Sequence, residues 1–167
     1  MITHGHMAYN RGSTLVSLLT ALLLMSLILT AAGILLSFAI KSYQTNVNSL
    51  EVQENLRLGM DRLTRELRQS SGVISFDNSG TGRLNFSARS SEVITYRIGL
   101  SSDYETASQL LRAVNGAGNN SVARYITNLK VEPLSTGSAN RTYYITITGS
   151  KGSSGPLSLS TTVMVRN

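Results

Sequence analysis

RGSTLVSLLTALLLMSLILTAAGILLSFAIK, residues 11–41, carries no charged side chain between Arg11 and Lys41. A helix needs about 20 apolar residues to cross the hydrocarbon core of a bilayer, and residues 13–40 exceed that. An ordinary secretory signal has a shorter apolar core followed by a small-residue cleavage site. Here helix-forming sequence continues past the apolar run. Arg11 flanks one side and Lys41 and Arg57 the other, so charge alone does not set orientation.

Lys41–Ser70 reads as the continuation of that helix. It holds no proline, and Val52, Leu56, Met60, Leu63 and Leu67 recur at spacings of three and four, on one helical face. Acids and arginines fill the other positions. Asp61 and Arg65 stand one turn apart in the favourable order for an ion pair. Gly72 is the expected stop. A helix over Ser13–Ser70 would be roughly 85 Å long at about 1.5 Å per residue.

After Gly72 the apolar pattern changes to period two. Ile94, Tyr96 and Ile98 alternate with Thr95 and Arg97, and Tyr143, Ile145 and Ile147 with Tyr144, Thr146 and Thr148. Leu157, Leu159, Val163 and Val165 share one face of a last strand. Shorter candidates are Val73–Phe76, Arg83–Phe86, Gln109–Val114 and Asn128–Glu132. Turn-rich pieces separate them at Asp77–Gly82, Asn115–Asn120, Ser135–Asn140 and Gly149–Pro156. The expected fold class is α+β: a long N-terminal helix whose second half lies over an antiparallel sheet. The expected divisions are residues 1–12, 13–40, 41–70 and 71–167.

The 167 residues suit one modest domain with appendages. The chain has no cysteine, so disulfides and cysteine-based metal or redox sites are excluded. The net charge of +6 favours anionic partners such as nucleic acid or lipid head groups, against the plainer reading of a solvated basic surface.

The junction Arg11-Gly12-Ser13-Thr14-Leu15-Val16-Ser17 resembles the type III signal of type IV prepilins and pseudopilins, whose usual form is G-F-T-L-x-E. The stretches Val52–Arg57 and Met60–Gln69 look like the second helix half of minor pilins of the PilW type. The ending Thr162–Asn167 is similar to the last strand of those proteins and of GspJ-type pseudopilins. The resemblance implies a type IV pilin-like fold. It also implies that a prepilin peptidase cuts between Gly12 and Ser13 and methylates the new amino terminus, with residues 1–12 as leader. Met7 is an alternative start. Two positions depart from the family pattern: the usual aromatic at the new terminus is Ser13, and the usual acid at the fifth mature position is Ser17.

The resemblance further implies a single-pass protein of the cytoplasmic membrane with its head outside the cytoplasm. Its partners would be other pilin subunits, the prepilin peptidase and an inner-membrane assembly platform. A plain signal anchor is the simpler alternative for the apolar segment. Within that segment Ser26, Thr30, Gly33 and Ser37 are spaced four, three and four apart. Small residues let helices approach closely in lipid, while Ser and Thr hydroxyls can equally bond back within their own helix.

Candidate chemistry is sparse. Both histidines, His4 and His6, precede Gly12, so a chain cut there has no histidine-based triad, cysteine nucleophile or common zinc site. Gly149-Ser150-Lys151-Gly152 lacks P-loop spacing. Asp77, Asn78, Ser79 and Thr81 offer oxygen ligands for calcium or form an ordinary Asx turn. Arg57, Arg65 and Arg68 make one stripe, read as ion-paired stem surface or as a DNA contact. The expectation is a structural subunit with no catalytic residues, metal or cofactor: a minor pilin at the tip or in initiation of a type IV pilus. The alternatives are a type II secretion or competence pseudopilin and a membrane-anchored binding domain that never polymerises.

Overall fold

A computed structural model describes residues 10–101, 104–134 and 141–166. The expected leader up to Tyr9, with both histidines, and the expected turn Ser135–Asn140 lie outside the described residues. The chain divides into two compact units, Met1–Tyr43 and Gln44–Asn167. One helix, α1 (Asn10–Arg68), supplies the described part of the first unit and the opening of the second.

The helix ends at Arg68 where Ser70 was expected. Its last turn tightens: Gln69 N–H donates to Glu66 O and Ser70 N–H to Leu67 O, both at 3.2 Å, and Ser70 Oγ donates to Leu67 O at 2.7 Å. These bonds satisfy carbonyls that a helix C-terminus otherwise leaves free. Gly72 is therefore not a left-handed cap; it opens the first strand, after Ser71 N–H has bonded Ser87 O.

Eight strands follow among the described residues: β1 (Gly72–Asp77), β2 (Arg83–Ser87), β3 (Val93–Ser101), β4 (Tyr104–Val114), β5 (Ala117–Arg124), β6 (Ile126–Pro133), β7 (Thr142–Gly149) and β8 (Leu157–Met164). All pairings are antiparallel, as expected, but they form two sheets rather than one, β1-β2-β3-β4-β5 and β6-β7-β8. β5 is the strand the periodicity missed. Asn115 and Gly116 take positive φ values of 51° and 75° and make the tight hairpin turn, as Asn-Gly favours. The turn is thus two residues long, not six, and Ala117–Asn120 pairs with β4. A strand of sequence AGNNSVAR has too few apolar residues to show alternation.

The core of the second unit forms where the helix face meets both sheets. Val52, Leu56, Met60, Leu63 and Leu67 are all buried, together with Leu84, Phe86, Tyr96 and Leu110 from the first sheet and Leu129, Val131, Ile145, Ile147 and Val163 from the second. Gly59 lies on the same helix face. A Cβ there would stand 3.2 Å from both Ala123 Cβ and Leu110 Cδ2, so the glycine lets α1 approach the first sheet closely.

The two sheets are joined by the β1–β2 turn. The Asn78 side chain donates to Val131 O at 2.8 Å and accepts from Val131 N–H at 2.9 Å, and Leu129 N–H donates to Thr81 O at 2.9 Å. A side-chain amide and a turn carbonyl thus occupy backbone groups of β6 that no strand pairs.

Candidate functional site

In the first unit, the large apolar side chains from Leu15 to Ile40 are all at least half exposed. α1 is the one helix, among the described residues, that is long and apolar enough to cross a membrane, and none of its most apolar window is buried. Its hydroxyls are satisfied internally. Ser17 Oγ donates to Ser13 O at 2.8 Å, Ser26 Oγ to Leu23 O at 2.8 Å, Thr30 Oγ1 to Ser26 O at 2.8 Å and Ser37 Oγ to Gly33 O at 2.9 Å. No polar side chain in this row needs an outside partner, which suits an apolar surround. Thr30, Gly33, Ile34, Ser37, Phe38 and Lys41 line a shallow groove on the helix, and a Cβ on Gly33 would meet nothing within 4 Å. Gly12 and Ser13 fall near the start of α1.

In the second unit the stem arginines divide. Arg65 binds Asp61 at 2.7 Å, the ion pair expected from their spacing, and Arg62 reaches Glu66 at 3.5 Å. Glu66 also accepts from Arg112 of β4 at 2.8 Å. This contact raises the Arg112 pKa. The buried Tyr96 hydroxyl lies beside the pair, and its pKa is pushed up first by burial and then by the Glu66 charge. The helix is thus tied to the first sheet by a partly buried charge pair as well as by apolar contact.

At the other end of the stem, Lys151 binds Glu51 and sits 4.7 Å over the Tyr125 ring. The hydrogen bond from Lys151 is the main cause holding the Glu51 carboxyl below its ordinary 4.5, and the same bond raises Lys151 above its ordinary 10.5. The Glu51 contribution to stability is present above pH 4.5 and lost as pH falls through the lowered value. The Lys151 contribution is present below pH 10.5 and lost as pH rises through the raised one. Glu51→Gln should therefore lower Tm near neutral pH, and the gap to the parent should close as pH falls through the lowered Glu51 pKa, as followed by circular dichroism. A gap that persists there would show that the pair is not its source.

The Asp77 loop takes the turn reading. Asp77 Oδ1 accepts Ser79 N–H at 2.8 Å, and hydrogen bonds from Ser79 lower the Asp77 pKa. The Asn78 side chain is committed to Val131. Among the described residues no three acids, histidines or cysteines gather as a metal site.

Of the stripe Arg57, Arg65 and Arg68, only the last two share a cleft. Arg57 stays apart, while Arg65 and Arg68 line a cleft of about 900 Å³ with Asp61, Thr64, Gln69, Arg89, Thr162, Met164 and Arg166. No family model matches the chain, and no curated protein and no solved structure matches it. Arg89 and Arg166 were not legible as partners of the stem. They are far from it in sequence and arrive through the β2–β3 turn and the residues after β8. Gly59 was missed likewise, and Asn78, read as a turn residue or calcium ligand, gave no signal that it would bond Val131.

Proposed function

We propose that the chain is a pilin-like structural subunit, held in a membrane by the first part of α1 and able to pass from lipid into a helical filament. The observation that supports this most is the contrast within α1. Its second part presents one buried stripe to a folded head, while its first part is apolar and exposed on every side. Such a surface requires cover from lipid or from other apolar helices. The self-satisfied hydroxyls tolerate either cover.

Maturation on this reading cuts between Gly12 and Ser13. A peptidase needs an extended backbone at the bond it cuts, and a glycine there, with no Cβ, lets the scissile backbone be approached closely. The test is mass spectrometry of the amino terminus of protein recovered from membranes containing the peptidase. The mature chain should begin at Ser13, and Gly12→Leu should leave the precursor uncut. A wild-type protein that keeps Gly12 in those membranes would remove the main support for the filament reading.

Position in the filament follows from Ser17. Where the related pilins carry an acid, this hydroxyl is already spent on Ser13 O. It offers no charge to neutralise the amino terminus of a preceding subunit, and leaving a charge unpaired at membrane depth costs several kcal/mol. A shaft subunit would meet that cost at every step, whereas a tip or initiating subunit has no predecessor. Ser17→Glu should therefore raise the copy number in purified filaments severalfold, as read by quantitative mass spectrometry. A wild-type protein found as the bulk of the shaft would exclude the tip role.

A further inference from the structure

The two sheets have four edges, and three of them are blunted. β1 has a register shift between Val73 and Ser75 and ends on Asp77. β5 pairs with two register shifts and ends on Arg124. β6 carries Lys130, Glu132 and Pro133 and abuts the first sheet through Leu129 and Val131. Charge, proline, bulges and cover are the devices by which natural sheets avoid pairing with another chain.

β8 has none of them. Leu157–Met164 contains no charge and no proline, and its register with β7 runs unbroken from Gly149↔Leu157 to Thr142↔Met164. Val165 N–H donates to Arg141 O at 2.7 Å, which fixes the alternation. Odd-numbered residues bond β7, and the N–H and C=O groups of Ser158, Ser160, Thr162 and Met164 point outward. Arg166, next in that outward series, donates its N–H to Arg68 O at 3.2 Å. The open edge therefore runs up to the end of α1.

The arginine cleft lies along that same edge, since Thr162, Met164 and Arg166 form one wall and Asp61, Thr64, Arg65, Arg68 and Gln69 another. Arg65 is paired with Asp61, but Arg68, Arg89 and Arg166 make no ion pair among the described residues. Guanidinium groups bind carboxylates in bidentate geometry. An unprotected edge gives main-chain affinity to any extended segment, and the arginines beside it select for negative charge.

We infer that β8 is a docking edge for an extended, acid-bearing segment of a partner protein, which adds as a fourth strand to the second sheet and places its carboxylates against Arg68, Arg89 and Arg166. The inference stands on the edge and the cleft and does not depend on the filament reading. A nucleic acid would use the arginines through its phosphates but has no use for the outward amides of β8.

The test uses the full chain in lipid nanodiscs, with fluorescence anisotropy and amide hydrogen exchange as readouts. The probes are a labelled peptide alternating valine and aspartate, the same peptide with asparagine for aspartate, its fully N-methylated form, and a thymidine oligonucleotide. The aspartate peptide should bind and slow exchange at Ser158, Ser160 and Thr162. The asparagine and N-methylated peptides should each bind at least about tenfold more weakly, as expected when charge pairing or strand hydrogen bonding is removed. Arg68→Gln with Arg89→Gln should weaken the aspartate peptide to a similar extent. So should Thr162→Pro, which removes an outward N–H and no bond to β7. Binding that ignores N-methylation, or no binding of the aspartate peptide at millimolar concentration, would overturn the docking edge. An oligonucleotide that binds more tightly than the peptide without protecting β8 would overturn it in favour of a phosphate site.

Discussion

Leu63→Asp should abolish the folded head. Leu63 is fully buried among helix and sheet side chains, with Val52, Leu56, Met60 and Leu67 on the same face. Truncating such a leucine to alanine costs about 2–5 kcal/mol, already a large part of the roughly 5–15 kcal/mol that holds a domain together. Aspartate adds an unpaired charge in an apolar site, where the partner needed to offset its desolvation is missing. Leu58→Asp is the matched control: Leu58 is 56% exposed on the same helix, so its replacement meets water. In detergent or nanodiscs, Leu63→Asp should lose the near-ultraviolet dichroism of the head and expose it to protease, while Leu58→Asp should retain both properties of the parent. A Leu63→Asp protein that melts like the parent would show that this face is not the core.

The helix and most strands were legible because both rest on local periodicity. The spacing of Val52, Leu56, Met60, Leu63 and Leu67 states a buried stripe, and alternation at Ile94–Ile98 and Tyr143–Ile147 states two half-buried strands, now β3 and β7. β5 was not legible, since its residues are mostly exposed and polar and it exists because Asn115-Gly116 turns the chain back along β4. The split into two sheets was not legible either. It depends on which strand edges meet, and the contacts that set it, Asn78 with Val131 and Thr81 with Leu129, join residues about fifty positions apart. The same limit applies to the cleft: Arg65 and Arg68 could be placed on one helix face, but Arg89 and Arg166 join them only through the fold.

Gly82→Ala should break the seam between the sheets. Gly82 has φ +90°, a conformation that L side chains rarely adopt, and a Cβ there would lie 1.8 Å from Leu129 O. That atom is backbone, so no rotamer change can clear it; either the β1–β2 turn or β6 must move. Movement of the turn withdraws Thr81 O from Leu129 N–H and Asn78 from both groups of Val131. Each bond is worth about 1 kcal/mol net, and more where a buried group is left unpaired, while the backbone strain adds about 1–3 kcal/mol. Together these predict a fall in Tm of roughly 10 °C or more. Hydrogen exchange should locate the damage: the Leu129 and Val131 amides should lose protection before the β7–β8 pairing does. Asn78→Ala provides an independent route to the same seam, removing two hydrogen bonds without the steric clash, and should reproduce the Val131 effect with a smaller loss of Tm. Gly80→Ala, at positive φ in the same turn but with open space around its Cβ, separates strain from collision. If Gly80→Ala and Gly82→Ala destabilise equally, the cost is conformational and the contact with Leu129 is not what holds the sheets together.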